Sequence, residues 1–176
     1  MKPMRSLTWS SSHAVFVTEI DDEHKEIFAA LSEVKAVVAG GARLAGSSAT
    51  ERLIRCVAGH FAHEERLMRA ARYSSMRWHK SAHNNARRRV RQFVERSEQG
   101  DTGAGEELVE YLTSWLHDHT RLADRMLGAF LRNHQRFTCK MTFQAGTRPV
   151  DSCSWVTING EAFNPVAGQQ KTERQS

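Results

Sequence analysis

Residues 105–130 read GEELVEYLTSWLHDHTRLADRMLGAF, and the apolar residues Leu108, Tyr111, Leu112, Trp115, Leu116, Leu122, Met126, Leu127 and Phe130 recur in them at helical intervals. That period winds them onto one stripe of an amphipathic helix, expected from about Ala104 to Asn133. A helix this long with so wide an apolar stripe must bury it against other helices.

The rest of the chain supplies them. Ile20, Ile27, Phe28, Leu31, Val34 and Val38 form a second stripe, with Asp21 and Asp22 as N-terminal caps and Gly40-Gly41 as its end. Leu53, Ile54, Val57, Phe61, Leu67, Met68 and Ala71 form a third, opening where Ser48 and Glu51 stand at capping-box spacing. Val90, Phe93 and Val94 face inward from a helix running from Ser75 or Met76 to about Ser97, closed by the glycine-rich residues 99–105. Short connections place sequential helices side by side, so the expected fold is all-α, an antiparallel up-down-up-down four-helix bundle. It occupies residues 1–133. An extended N-terminal arm, residues 7–19, lies on it with Trp9, Val15, Phe16 and Val17 as packing groups. Residues 134–176 form an irregular, partly β-like C-terminal tail, with strand-like pieces at 140–144 and 154–158 that suit a hairpin and no order expected from about Pro165.

Composition sets the class. A chain of 176 residues with 40% hydrophobic and 26% charged residues suits one globular domain and excludes disorder. No apolar run approaches the ~18 residues of a membrane helix, and residues 1–12 lack a secretory core, which makes a cytoplasmic location the expectation. The three cysteines, Cys56, Cys139 and Cys153, cannot all pair and show no CxxC spacing, against a disulfide framework or zinc knuckle. The net charge of +5 comes with a cluster at Arg87, Arg88, Arg89 and Arg91. Without interleaved aromatics this reads as a solvated helix face, and no nucleic-acid partner is expected.

The nine histidines fall unevenly on the stripes. His24 precedes Ile27, Phe28 and Leu31 at inward spacing; His60 shares its face with Val57 and Leu67, with Glu64 one turn on; His79 and His83 are one turn apart; His119 follows Trp115 and Leu116. Each helix thus directs at least one imidazole into an apolar core, where unpaired polar groups cost several kcal/mol each. A metal satisfies them together. His13, His63, His117 and His134 lie off the stripes or outside the helices and read as surface residues. Asp124 stands five residues after His119, about 140° round a regular α-helix, so its entry into the core requires a local π-type widening there.

Five imidazoles and two carboxylates exceed one tetrahedral zinc and are too nitrogen-rich for calcium or magnesium. Two first-row ions bridged by both carboxylates and a hydroxide fit better. Three histidines then complete one ion, and two leave the other with an open position.

The segments IDDEHKEIF around His24, HFAHEERLM from His60, HKSAH from His79 and WLHDHTRLAD ending at Asp124 resemble the hemerythrin family, particularly its single-domain bacterial members. The resemblance covers residues 7–131. It implies two iron ions, a carboxylate- and oxo- or hydroxo-bridged pair, with dioxygen as ligand. His79, His83 and His119 would hold the saturated iron, His24 and His60 the open one, and Glu64 and Asp124 would bridge. Leu116 and Trp115 would wall the dioxygen pocket, with Phe28 and Phe61 contributing. Two positions depart from the family pattern: Ala86 stands where a large aromatic is usual, and Thr120 where an apolar residue is usual.

The implied function is reversible dioxygen binding without catalysis, for storage, delivery to an oxygen-consuming enzyme or scavenging, by a monomer. Two alternatives stand beside it: an oxygen or redox sensor signalling through the C-terminal tail by way of Cys139 and Cys153, and a diiron oxidase or peroxidase. Ferritin-type bundles of the latter kind use Glu-x-x-His pairs, and no histidine here has a glutamate three residues before it.

Overall fold

The computed structural model describes residues 7–144, 156–158 and 161–163, with side chains described for residues 7–134. A short 3-10 turn, Ser11–His13, precedes α1 (Thr18–Ala39), α2 (Ser48–Ala70), α3 (Met76–Glu98) and α4 (Ala104–His119); a π-helical turn, Thr120–Asp124, joins α4 to α5 (Arg125–Gln144) without a break. Helix α1 packs on α2 and α4, and α3 on α4 and α2, which is the antiparallel four-helix bundle, with the α4–π–α5 rod as its fourth member.

The core follows the stripes. Ile27, Phe28, Leu31, Val34, Leu53, Val57, Phe61, Val90, Phe93, Leu108, Leu112 and Leu116 are buried in one cluster. Gly105 permits its tight start: a Cβ there would lie 2.8 Å from Val38 Cγ2, so α4 opens against α1 only because that position is bare. The α1–α2 connection is tied down by Leu44, which is buried and donates its N–H to Ser97 Oγ at 3.2 Å. Arg96 then fastens the end of α3 to the start of α4, reaching Asp101 Oδ2 at 2.8 Å and both Glu107 oxygens at 2.8 Å.

The helix starts differ from expectation. Asp21 sits inside the first turn of α1 and reaches back to accept the N–H groups of Val15 (2.8 Å) and Phe16 (3.0 Å), while Val17 holds the N-cap position. Asp22 pairs with Lys25 at the surface. No capping box forms at Ser48, which already lies within α2; Ser47 takes the N-cap position and makes no side-chain cap bond.

Four residues expected inward are exposed: Phe16, Ile54, Leu122 and Met126. Ile54 lies on the flank of its stripe, one residue beyond the buried Leu53. Phe16 occupies a left-handed backbone position, φ 60°, which turns its ring outward under the Arg132 guanidinium. Leu122 and Met126 are turned out by the π-helical turn, which puts Ala123, Asp124 and Leu127 inward instead.

Residues 140–144 are helical and not strand-like. Thr142 and Phe143 suggest a strand, but no glycine or proline stands between Gly128 and Gly146, so the preceding helix continues through them. The pairing expected between 140–144 and 154–158 is therefore replaced by another: β1 (Val156–Ile158), within the second of those pieces, runs antiparallel to β2 (Glu161–Phe163), with Ile158 opposite Glu161. Ser154, Cys153 and the segment from Pro165 lie outside the described residues. Among the described residues no helix is long and apolar enough to cross a membrane.

Candidate metal centre

Each helix contributes to one buried cluster. His24 comes from α1, His60 and Glu64 from successive turns of α2, His79 and His83 from successive turns of α3, His119 from the last residue of α4, and Asp124 from the last residue of the π-helical turn. His24, Glu64, His79, His83 and Asp124 are 0% exposed, and His60 and His119 are also buried. The widening expected between His119 and Asp124 spans Thr120–Asp124. Thr120 marks its start, with Oγ1 bonded back to the Leu116 carbonyl at 2.8 Å, a contact that bends helices.

The donors form two overlapping groups, each with its atoms within 4.8 Å of one another: Glu64, His79, His83, His119 and Asp124 in one, His24, His60, Glu64 and Asp124 in the other. Glu64 and Asp124 belong to both, as bridges require. The Nε2 atoms converge. His119 Nε2 lies 3.1 Å from His79 Nε2, 3.2 Å from His83 Nε2 and 3.0 Å from Asp124 Oδ1. Glu64 Oε2 is 3.2 Å from His79 Nε2 and from His83 Nε2, and 3.7 Å from His60 Nε2. His24 Nε2 is 3.2 Å from Asp124 Oδ2. Neighbouring ligands around an octahedral ion with bonds near ~2.1 Å lie about 3.0 Å apart, and His119 Nε2 already stands near that spacing from His79, His83 and Asp124.

The polar atoms also need partners. Both oxygens of Glu64 and of Asp124, both nitrogens of His24, and Nδ1 of His79 and His83 are buried without a hydrogen bond. So many orphaned donors and acceptors around one point fit a pair of cations and little else. Burial pushes both carboxyls up, yet the surrounding imidazoles outweigh it: Glu64 is held at about 2 and Asp124 well below the usual carboxylate range. Both therefore stand ready as anions. Among the imidazoles, burial lowers His83, whereas for His79 burial is outweighed by the adjacent negative charges of Asp124 and Glu64, which raise it to about 9.

Two glutamates that the sequence reading missed support the cluster from outside. Glu23 Oε2 lies 3.0 Å from His60 Nδ1, and Glu23 Oε1 lies 2.6 Å from His63 Nδ1. Burial raises the Glu23 carboxyl, but the bonds from His60 and His63 prevail and hold it at about 2, the carboxylate–histidine arrangement that fixes a ligand's tautomer. Glu65 Oε1 sits 3.4 Å from His83 Nδ1, and the carboxylate is itself gripped by Arg87 at Oε1 (2.9 Å) and by Lys80 at Oε2 (3.2 Å). Their signal is helix phase: Glu23 flanks His24 on the α2 side, which is recognisable only once α1 and α2 are known to be neighbours.

Two histidines expected at the surface are not there. His13 is buried, accepts the Ser10 N–H at Nδ1 (3.0 Å), and meets His117 Nδ1 through Nε2 at 2.7 Å. His63 is largely covered by its bond to Glu23. The arm folds over that end of the bundle, which a helical projection of α4 alone does not reveal.

The aromatics expected around a dioxygen pocket lie close by. Phe61 stacks on His83 with centroids 3.9 Å apart, and Trp115 on His119 at 4.1 Å. Phe28 faces His13 and His117, and Leu116 is buried in the main core cluster. Ala86 and Thr120 are both buried, and the Thr120 hydroxyl is spent on the Leu116 carbonyl, which removes most of the polarity expected from it.

Residues 15–131 match the family described as the hemerythrin HHE cation binding domain. The chain is similar to a bacteriohemerythrin of Pseudomonas aeruginosa, 32% identical over 121 residues that cover 69% of this chain and 78% of that one. Over 140 residues it is 29% identical to a bacteriohemerythrin of Stenotrophomonas maltophilia, covering 75% and 91% of the two chains. A hemerythrin of Themiste dyscrita is 29% identical over 116 residues, 66% of this chain and 86% of that one. With the match spanning α1 to α4, the π-helical turn and every donor of the buried cluster, the chain belongs to the hemerythrin family.

Proposed function

We propose that the protein binds dioxygen reversibly at a diiron centre held by His24, His60, Glu64, His79, His83, His119 and Asp124. The observation that carries this reading is the division of the buried donors into groups of three and two histidines that share Glu64 and Asp124. Two iron ions held there supply the electrons with which dioxygen is bound and given up.

The chain's own residues do the rest. His79, His83 and His119 fill one side of the centre, and the second group, with one histidine fewer, leaves room for a small ligand beside His24 and His60. Glu23 holds His60 in one tautomer with Nε2 inward. Phe61 and Trp115 fix the His83 and His119 rings by stacking, and Phe28 and Leu116 keep the interior apolar, which excludes the water and protons that convert bound dioxygen to free peroxide. The histidine-rich donor set suits a carrier better than an oxidase, whose chemistry draws on more carboxylates. Storage, delivery and scavenging all follow from this one property.

The test is an anaerobic iron(II) titration followed by repeated oxygenation and deoxygenation under absorption spectroscopy. Two iron ions per chain and return to the colourless ferrous form over several cycles are expected. Oxidation in a single pass with peroxide released would overturn the carrier reading in favour of an oxidase.

A further inference from the structure

The fourth helix has two ways to bury an apolar stripe. With the π-helical turn, Asp124, Ala123 and Leu127 face inward and Leu122 and Met126 are 57% and 46% exposed. Each residue after such a turn takes the slot that its predecessor would hold in an uninterrupted α-helix. Without the turn, Leu122 would take Ala123's slot, Met126 would take Leu127's, and Ala123 would take Asp124's. Two large side chains would gain burial and the metal centre would lose a carboxylate. The hydrophobic effect alone therefore favours the wrong register.

The N-terminal arm opposes it. It grips the rod on both sides of the turn: His13 meets His117 before it, while beyond it Arg125 donates to the Ala14 carbonyl at 3.3 Å and Arg132 donates to the Val15 carbonyl and lies over Phe16. Asp21 fixes the arm's own backbone through Val15 and Phe16. At the contact itself stands Gly128, where a Cβ would lie 2.5 Å from the Val15 carbonyl oxygen and 3.1 Å from Val15 Cβ. In the uninterrupted register Leu127 would occupy that slot and Leu131 would replace Arg132. The arm would then meet a leucine where only glycine fits and lose the Arg132 bond.

We propose that the arm selects the helical register, and that Gly128 and Arg132 are positioning residues that keep Asp124 in the metal centre. This rests on the proposed role of Asp124 as a bridge, but the register can be read without metal.

The experiment compares the full-length wild-type chain, Gly128→Ala and Arg132→Met, metal-free, by NMR of the Leu122 and Met126 methyl groups with a soluble paramagnetic probe. Each is then titrated anaerobically with iron(II). In the wild type both methyls are expected to be reached by the probe; in Gly128→Ala they become protected and iron affinity falls by roughly tenfold or more. Adding Leu122→Gln and Met126→Gln to Gly128→Ala, which disfavours burial of those positions, is expected to restore the iron affinity, a rescue that general destabilisation cannot produce. Where Gly128→Ala does not fold, Arg132→Met carries the test, since it deletes one bond and introduces no clash. Methyls that stay exposed in the folded variants, or iron affinity that the glutamines fail to restore, overturn the proposal. Variants that switch register as described, beside a wild type that binds no iron pair, overturn the metal reading and leave the register selection standing.

Discussion

Glu23 shows how a residue outside the donor set can govern it. It is the sole carboxylate seen on His60 Nδ1 among the described residues, so Glu23→Gln keeps the shape while removing the charge that orients that imidazole. Binding at the two-histidine group is expected to weaken by roughly tenfold or more, measured by competition with a chelator; unchanged affinity would show that Glu23 serves only His63. Ala86 offers the converse case. Buried on α3 three residues after His83, it carries no bulk, and Ala86→Phe is expected to slow autoxidation by excluding water, at a cost of about 1–3 kcal/mol if the core does not relax. Autoxidation at the same or a higher rate refutes this. Five imidazoles and Glu64 were legible as candidates because they share a phase with apolar neighbours or with His60, and phase is a one-dimensional property; Asp124, off that phase, became a candidate only through the resemblance and the helical widening it required. Glu23, Glu65 and His13 were not legible, because their partners lie on other elements: 37, 18 and 104 positions away for His60, His83 and His117.

At the scale of elements, α1 to α3 followed their stripes within a few residues, and the interruption of the fourth was readable from one conflict: Asp124 could join His119 only if the helix widened. The same conflict carried a consequence that the sequence reading did not follow through, that a widened turn must expel Leu122 and Met126. The helix ends were less legible, since Asp21 caps the arm from inside α1 and the rod continues to Gln144 for want of a breaker. The α3–α4 junction yields a pH prediction. Arg96, bonded to Glu107 and Asp101, holds both carboxyls below their usual range. A depressed folded value means that the stabilisation is fully present above the unfolded values of 3.8 and 4.5 and is lost as pH falls through the folded ones. The advantage of the wild type over Arg96→Ala in thermal unfolding should therefore be present at neutral pH and shrink below about pH 4.5, and about 1 M salt should reduce it at every pH because the groups are exposed. An advantage that grows on acidification would mean that Arg96 acts through its packing on Phe93 instead.

On the scale of the whole molecule, the family match ends at residue 131, and every candidate donor lies between His24 and Asp124. The chain beyond is of a different kind: a rod running on to Gln144 and a two-stranded hairpin at Val156–Ile158 and Glu161–Phe163. A cut after Asn133 would fall within α5 and expose a broken helix, so the informative truncation removes residues 145–176. If dioxygen binding is a property of the bundle alone, this truncated chain takes up the same iron, cycles with the same dioxygen affinity and autoxidises at the wild-type rate. A sensor that signals through its tail must behave otherwise, because coupling is reciprocal: if oxygenation shifts the tail between states, removing the tail shifts the oxygenation equilibrium by the same factor. An unchanged binding curve thus rules out signalling through residues 145–176. A displaced one assigns them a coupling free energy of about 1.4 kcal/mol for each tenfold change in affinity.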